Sequence, residues 1–192
     1  MKRRPPIKIK YLLAAVAAFL ISLSVFLERT HIPVPHERPV PEAPLKIPIK
    51  ETEPARILRV HDGDTVSLSY RGRRYKVRLI GIDAPELGQR PWGFRSKEHL
   101  KELLTERVSI EMDVQGRDKY GRLLAYLRKE DGTLINEAMV EDGYAVLLTI
   151  PPNVKYVDEL KEAQTEARHA QRGIWGEDGL TESPSDYRER TQ

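Results

Sequence analysis

The sequence predicts an α+β fold: a small five-stranded antiparallel β-barrel packed with three helices, preceded by one N-terminal membrane helix. Three observations lead there. Five short runs of β character occur, three in succession before the first helix-spaced stretch and two after it, an order that suits an antiparallel barrel better than an alternating parallel sheet. A run of uncharged residues follows a purely basic N terminus. The chain has 192 residues, 40% hydrophobic and 32% charged, enough for one core with appendages. It holds no cysteine, which excludes disulfides, thiolate metal sites and a cysteine nucleophile without fixing the compartment.

Residues 1–10 hold five Lys or Arg and no acid, and read as a basic cytoplasmic flank. Tyr11 to Leu27 carries no charge. As a helix it would span roughly 25 Å, slightly under the ~30 Å hydrocarbon core. It is expected to be a transmembrane anchor, with a cleaved signal peptide as the alternative, since Ser22 and Ser24 would suit a cleavage site. In either case the rest of the chain is expected outside the cytoplasmic membrane, anchored or secreted. Residues 28–54 contain seven of the fourteen prolines and read as a stiff linker. Of 32 basic and 29 acidic residues, nine and five fall in residues 1–54, leaving 23 and 24 for the remainder. The basic balance therefore comes from the membrane flank, and affinity for polyanions must be local. "RGRRYKVR" (71–78) and "GRDKYGR" (116–122), the latter with Lys119 and Tyr120, are the local candidates. A charge run of this kind also reads as a solvated turn.

The expected domain occupies residues 55–176, followed by a mobile polar tail at 177–192. "ARILRVH", "DTVSLSY" and "YKVRLIGI" make a meander, the last two joined across "RGRR". "WGFRSKEHLKELLTE" spaces Phe94, Leu100, Leu103 and Leu104 as on a helix, "RVSIEMDV" and "RLLAYLRK" return to strand, and "TLINEAMVEDG" and "VKYVDELKEAQTEARHAQRG" read as two more helices. Matching inward residues places Leu79, Val77 and Tyr75 opposite Val66, Leu68 and Tyr70. On that register Asp64 faces Gly81 and lies within about 7 Å of Asp83 on the diagonal. Alternation alone puts Arg78 on the other face from Asp83 unless the strand breaks, and Gly81 is the place for a break. Two partly desolvated acids repel, so a cation or arginines must keep both ionised. A hard divalent ion fits best, calcium rather than zinc, because no suitably placed histidine or cysteine accompanies them. An EF-hand is excluded, since the twelfth position from Asp62 is Arg73. "DGD" at 62–64 also reads as a tight turn closed by an aspartate side chain.

"VHDGDTVSL", "VRLIGIDAPE" and "DKYGRLLAYL", in that order and followed by "INEAMVEDGYA" and "RGIWG", resemble the staphylococcal nuclease (thermonuclease) family from about Ala55 to Gly176. The resemblance implies an OB-type five-stranded barrel with three helices, and a calcium-dependent endonuclease acting on DNA and RNA and leaving 3′-phosphates. It makes Asp64 and Asp83 calcium carboxylates, with the Ala84 carbonyl as a further ligand and Asp62 in support. It makes Glu86 the residue that orients or deprotonates water, and Arg78 and Arg122 the pair that grips the phosphate. The chemistry fits these residue types: the phosphodiester gains negative charge as water attacks, and guanidinium forks hold phosphate bidentately at any working pH.

Ala84 stands where the family commonly has threonine, and Leu148 and Ile150 stand where its best-known members have tyrosines, leaving apolar contact but no phenolic hydroxyl. Trp92, Trp175 and Phe94 read as packing, and His99 and His169 as surface residues. The rival reading is a catalytically silent OB-type scaffold of the same family that binds nucleic acid or protein. A monomer is expected.

Overall fold

The computed structural model describes residues 54–191. The expected anchor at 11–27 and nearly all of the expected linker lie outside these residues, and among the described residues no helix is long and apolar enough to cross a membrane. In chain order the elements are β1 (Ala55–Val60), β2 (Thr65–Tyr70), β3 (Arg73–Leu79), β4 (Ile82–Asp83), α1 (Trp92–Leu103), β5 (Arg107–Glu111), β6 (Leu123–Arg128), α2 (Ile135–Glu141), β7 (Val146–Leu147), α3 (Val157–His169) and α4 (Pro184–Thr191), with a 3₁₀ turn at Gly173–Trp175 before α4.

Five strands close into a barrel in the order β1-β2-β3-β6-β5, and β4 and β7 form a separate two-stranded ribbon. The strands match the sequence expectation in number. Their directions do not, because β3 and β6 run parallel. The reason is combinatorial: around a closed ring, up and down can alternate at every step only for an even number of strands. With five, one neighbouring pair must be parallel. The β2–β3 register also differs by two residues, with Val66 opposite Val77 and Leu68 opposite Tyr75. The reason lies in the turn. Arg71 and Gly72 both adopt positive φ (49° and 74°), the two-residue geometry that matches strand twist, so Arg73 and Arg74 join the strand instead of the loop. A slip of two keeps every side chain on its expected face.

Inward residues of every strand fill the barrel: Ala55 and Val60, Val66 and Leu68, Val77 and Leu79, Val108 and Ile110, Ala125 and Leu127 are all buried. Leu100 of α1, Ile135 and Met139 of α2 and Leu160 of α3 belong to the same cluster. Phe94 does not follow the packing expectation. It is exposed and lies under the Arg90 guanidinium, 5.0 Å from the ring centroid. His99 is not a free surface residue either, since its ring stacks on Tyr144 at 4.0 Å and Nε2 meets Asp142 Oδ2 at 2.8 Å, tying α1 to the end of α2.

Two buried polar side chains hold the helices to the barrel. Asn136 of α2 accepts from Leu127 N–H (3.0 Å) and donates to the Ile80 carbonyl (2.8 Å), so it ties β6 to the chain between β3 and β4. Glu111, at the end of β5, accepts hydrogen bonds from Tyr156 Oη (2.6 Å), Arg128 Nε (3.2 Å) and Lys155 Nζ. Burial alone would raise its carboxyl, but the bonds from Lys155, Tyr156 and Arg128 outweigh burial and hold it below its ordinary value of 4.5.

The C-terminal stretch expected as a mobile tail instead folds. Leu180 N–H reaches the Ile174 carbonyl at 3.0 Å, Trp92 Nε1 donates to the Asp178 carbonyl at 2.9 Å, and the chain then enters α4, making four α-helices among the described residues.

A depressed carboxyl stabilises the fold above its unfolded value, and that contribution disappears as pH falls through the folded value. Glu111→Gln should therefore cost about 2–3 kcal/mol at pH 7. In urea titrations the gap between variant and parent should narrow steadily below pH 4.5; a gap independent of pH would sink this account of the cluster.

Candidate active site

One end of β2, the end of β3 and the ribbon strand β4 meet at a buried cluster of acids. Asp64 precedes β2. Its position is set by the turn before it, where Asp62 Oδ1 accepts from Asp64 N–H at 3.1 Å and His61 N–H donates to the Thr65 carbonyl at 2.9 Å. The side-chain-closed turn read from "DGD" is thus present, and Asp62 serves it. Gly63 has no room for a side chain, since a Cβ there would lie 2.1 Å from Ser96 Oγ and 2.6 Å from the Ala84 Cβ. The turn packs directly between α1 and the strand carrying the second acid.

Asp64 is buried and fully engaged. Oδ1 accepts from Thr65 Oγ1 at 2.9 Å, Oδ2 accepts from Ala84 N–H at 2.8 Å, and Oδ2 lies 3.1 Å from Arg78 Nη2. Burial pushes its carboxyl above the ordinary 3.8; Arg78 pulls it down less strongly and Asp62 adds to the rise. An acid raised in this way stabilises the fold fully below its unfolded value and loses that contribution as pH rises through the folded value. At neutral pH the site therefore gains from any added positive charge.

Asp83 is the second acid, 1% exposed. It belongs to β4, which β7 holds by pairing Ile82 with Leu147 and Asp83 with Val146. The break between β3 and β4 falls at Ile80–Gly81, as alternation required. Gly81 takes φ 81°, and a Cβ there would meet Leu160 Cδ1 at 2.4 Å. Because the chain turns there, Arg78 can reach forward past its own strand end. Nη1 donates to the carbonyls of Leu79 (2.9 Å) and Ile82 (2.8 Å), and Nη2 donates to Asp83 Oδ1 at 3.1 Å. One guanidinium nitrogen thus lies 3.1 Å from both buried acids.

Glu86 follows at the mouth of this cluster, its N–H donating to Gln89 Oε1 at 2.9 Å. A residue outside the expected domain joins it. Arg188, on α4, places Nη2 2.8 Å from Asp83 Oδ2 and Nη1 3.0 Å from Asp83 Oδ1 and 2.8 Å from Glu86 Oε1. These hydrogen bonds, those to Asp83 foremost, hold its guanidinium above its already high ordinary value. No sequence signal marked Arg188, since "SPSDYRERT" has neither apolar periodicity nor a motif.

Arg122 stands apart from the acids. It immediately precedes β6, whose Leu124 pairs with Arg78, and its Nε is held by Asp118 Oδ2 at 2.6 Å. Asp118 also accepts from Tyr120 N–H and Arg122 N–H, both at 2.9 Å, and so organises the "DKYGR" turn. Tyr120 is 69% exposed, with the Lys119 ammonium 5.0 Å and the Arg122 guanidinium carbon 5.6 Å from its ring centroid. An aromatic face between two cations is suited to a base above a phosphate. Of the expected site residues, Asp64, Asp83, Arg78 and Glu86 thus come together with the Ala84 backbone. Lys119, Tyr120 and Arg122 form a neighbouring cationic turn. Leu148 donates its N–H to the Gly81 carbonyl at 2.9 Å, placing the Leu147–Ile150 segment beside the break, and Ile150 is exposed.

A hard cation fits the donors here in kind: two desolvated carboxylates and backbone carbonyls, with guanidinium nitrogens now bound to the carboxylate oxygens where a cation would bind. Among the described residues no three His, Cys, Asp or Glu side chains converge as a metal group. A bound ion would therefore take most of its shell from main chain, water or substrate.

A family model described as "Staphylococcal nuclease homologue" matches residues 76–177, more than half the chain. Arg78, Asp83, Ala84, Glu86, Lys119, Tyr120 and Arg122 fall within the match, and Asp62 and Asp64 precede it. The chain is 35% identical over 128 residues to the thermonuclease of Staphylococcus hyicus, covering 62% of this chain and 74% of the relative. It is 38% identical over 125 residues to the thermonuclease of Staphylococcus intermedius, with the same coverage. With Endonuclease YncB of Bacillus subtilis it shares 35% identity over 129 residues, 63% of this chain and 61% of that one.

Removing the cation shared by two buried acids leaves Asp64 without its guanidinium partner and Asp83 with Arg188 alone. Arg78→Met should destabilise the fold by about 3–5 kcal/mol at neutral pH. The deficit, read by urea denaturation, should shrink on acidification, because a protonated Asp64 needs no counter-charge. A neutral-pH cost below about 1 kcal/mol, typical of exposed pairs, would contradict the shared-cation reading.

Proposed function

The chain belongs to the staphylococcal nuclease family and is a phosphodiester-hydrolysing nuclease, and on that premise we propose that it is a calcium-dependent endonuclease cutting DNA and RNA outside the cytoplasmic membrane. The observation that carries the reading is the desolvated Asp64–Asp83 pair meeting Arg78 at one barrel rim, with Glu86 at its mouth. A guanidinium held beside buried acids and a carboxylate more open to water are the groups that phosphoryl transfer needs for charge stabilisation and for activating water.

Each group has a part. Calcium, when bound, supplies a Lewis acid that neutralises charge on the phosphoryl oxygens. Asp64 and Asp83 would hold it, with the Ala84 carbonyl, and Asp62 would fix Asp64 through the turn. Arg78, on β3, and Arg122, just before the neighbouring β6, donate to the phosphate, and their hydrogen bonds strengthen as the equatorial oxygens gain charge. Glu86 orients a water and takes its proton as the water oxygen bonds to phosphorus. The phosphorus–O5′ bond breaks, the 5′ oxygen departs and takes up a proton from solvent as a hydroxyl, and the phosphate stays on the 3′ side. Lys119 and Tyr120 would bind the neighbouring nucleotide by charge and stacking. The uncharged segment at 11–27 would tether the domain to the membrane, or release it if cleaved, and the enzyme would act as a monomer.

Incubating the protein with single-stranded DNA and with RNA, in calcium and then in excess chelator, tests this. Cleavage should require calcium and leave 3′-phosphate ends. Cleavage that persists in chelator would remove the metal, and no cleavage under any condition would leave the silent scaffold. Arg122→Ala should lower kcat roughly 10²- to 10³-fold with little change in stability, because Asp118 keeps the two backbone N–H bonds, from positions 120 and 122, that organise the turn.

A further inference from the structure

We propose that α4 is a tethered inhibitor of the site: Arg188 holds the acids that a divalent cation needs, and the cation must displace it. The inference rests on the reading of Asp83 as a metal carboxylate and adds a regulatory element that lies in a segment beyond the matched family domain.

Three sets of contacts support it. First, the Arg188 guanidinium meets both Asp83 oxygens and Glu86 Oε1 at once, at 2.8, 3.0 and 2.8 Å. With Oδ1 also bound by Arg78, Asp83 has neither oxygen free. Glu86 meanwhile is ion-paired and turned to a cation instead of a water. The docked state is therefore closed to metal binding and to water activation together.

Second, α4 is built into its place. Gln89 is the joint: its Oε1 accepts from Glu86 N–H at 2.9 Å while its Nε2 donates to the Glu182 carbonyl at 3.1 Å. Trp92 Nε1 holds the Asp178 carbonyl, and Arg190 pairs with Glu182 along the segment. Tyr187 fills the space beside Gly88, where a Cβ would lie 2.0 Å from its hydroxyl. The loop after Glu86 and the C-terminal segment are fitted to one another.

Third, the latch is releasable. Arg188 is about one-third exposed, and its helix carries Pro184 as its sole buried residue. Little apolar surface holds α4 down, so its docking depends on the charges that a cation would take over. Local opening at modest cost, coupled to ligand binding, makes such an element a competitor: each lowers the apparent affinity of the other.

Calcium binding by the full chain, measured calorimetrically, tests the proposal apart from turnover. Arg188→Gln should tighten calcium affinity roughly 5- to 150-fold and lower the calcium needed for half-maximal cleavage by the same factor, with kcat at saturating calcium unchanged. Arg188→Lys, which keeps a charge but loses the fork, should fall between. Gly88→Leu leaves every charge in place but lifts Tyr187, and should also tighten binding. In the unaltered chain, amide exchange in residues 186–191 should quicken when calcium is added. Calcium affinity unchanged or weakened by Arg188→Gln, a loss of kcat at saturating calcium, or unaltered exchange in α4 overturns the latch while leaving the nuclease reading intact. If neither protein binds calcium, the metal reading falls and the latch with it.

Discussion

The structure depends on one electrostatic constraint: two carboxylates, Asp64 and Asp83, sit out of water beside a single guanidinium nitrogen of Arg78. Neither acid could be buried alone at neutral pH without neutralising itself. Their burial is tolerated because a backbone amide, a hydroxyl and two arginines point at them. The supporting features follow from that demand. The tight turn at Asp62–Asp64, the break at Gly81 and the ribbon pairing of Asp83 with Val146 each bring one polar group to the same place.

Much of the barrel was legible in the sequence because alternation and turn chemistry are local. The five strands, the first three helices and the break at Gly81 follow from period and from glycine placement. Two misreadings have specific causes. Matching apolar residues, the sequence criterion for the register of β2 and β3, is blind to a slip of two, whereas the positive φ of Arg71 and Gly72 decides it. The all-antiparallel ring was excluded by parity alone, which no pattern of residues displays.

The acids, Arg78 and Glu86 could be read because they fall in short motifs within about 25 residues of one another, around the facing ends of β2 and β3. Arg188 could not. It reaches the site from 105 residues beyond Asp83 in the chain, on a short polar helix. Asn136 and Gln89 were equally silent, since one buried amide among apolar neighbours, or one in a loop, resembles any other until its two partners are known. Asp118 was visible as part of a motif, but its role as the organiser of the turn rests on three hydrogen bonds that only the folded chain reveals.

The parallel pairing of β3 with β6 has a consequence for how the chain matures. Two strands side by side in the same direction cannot be joined by a hairpin, so everything from β4 through β5 must be laid down before that seam can zip. Arg78 lies on one side of the seam and Arg122 on the other. A half-synthesised or half-folded chain therefore carries these two arginines apart. The two arginines are thus neighbours only in a chain whose β3–β6 seam has closed.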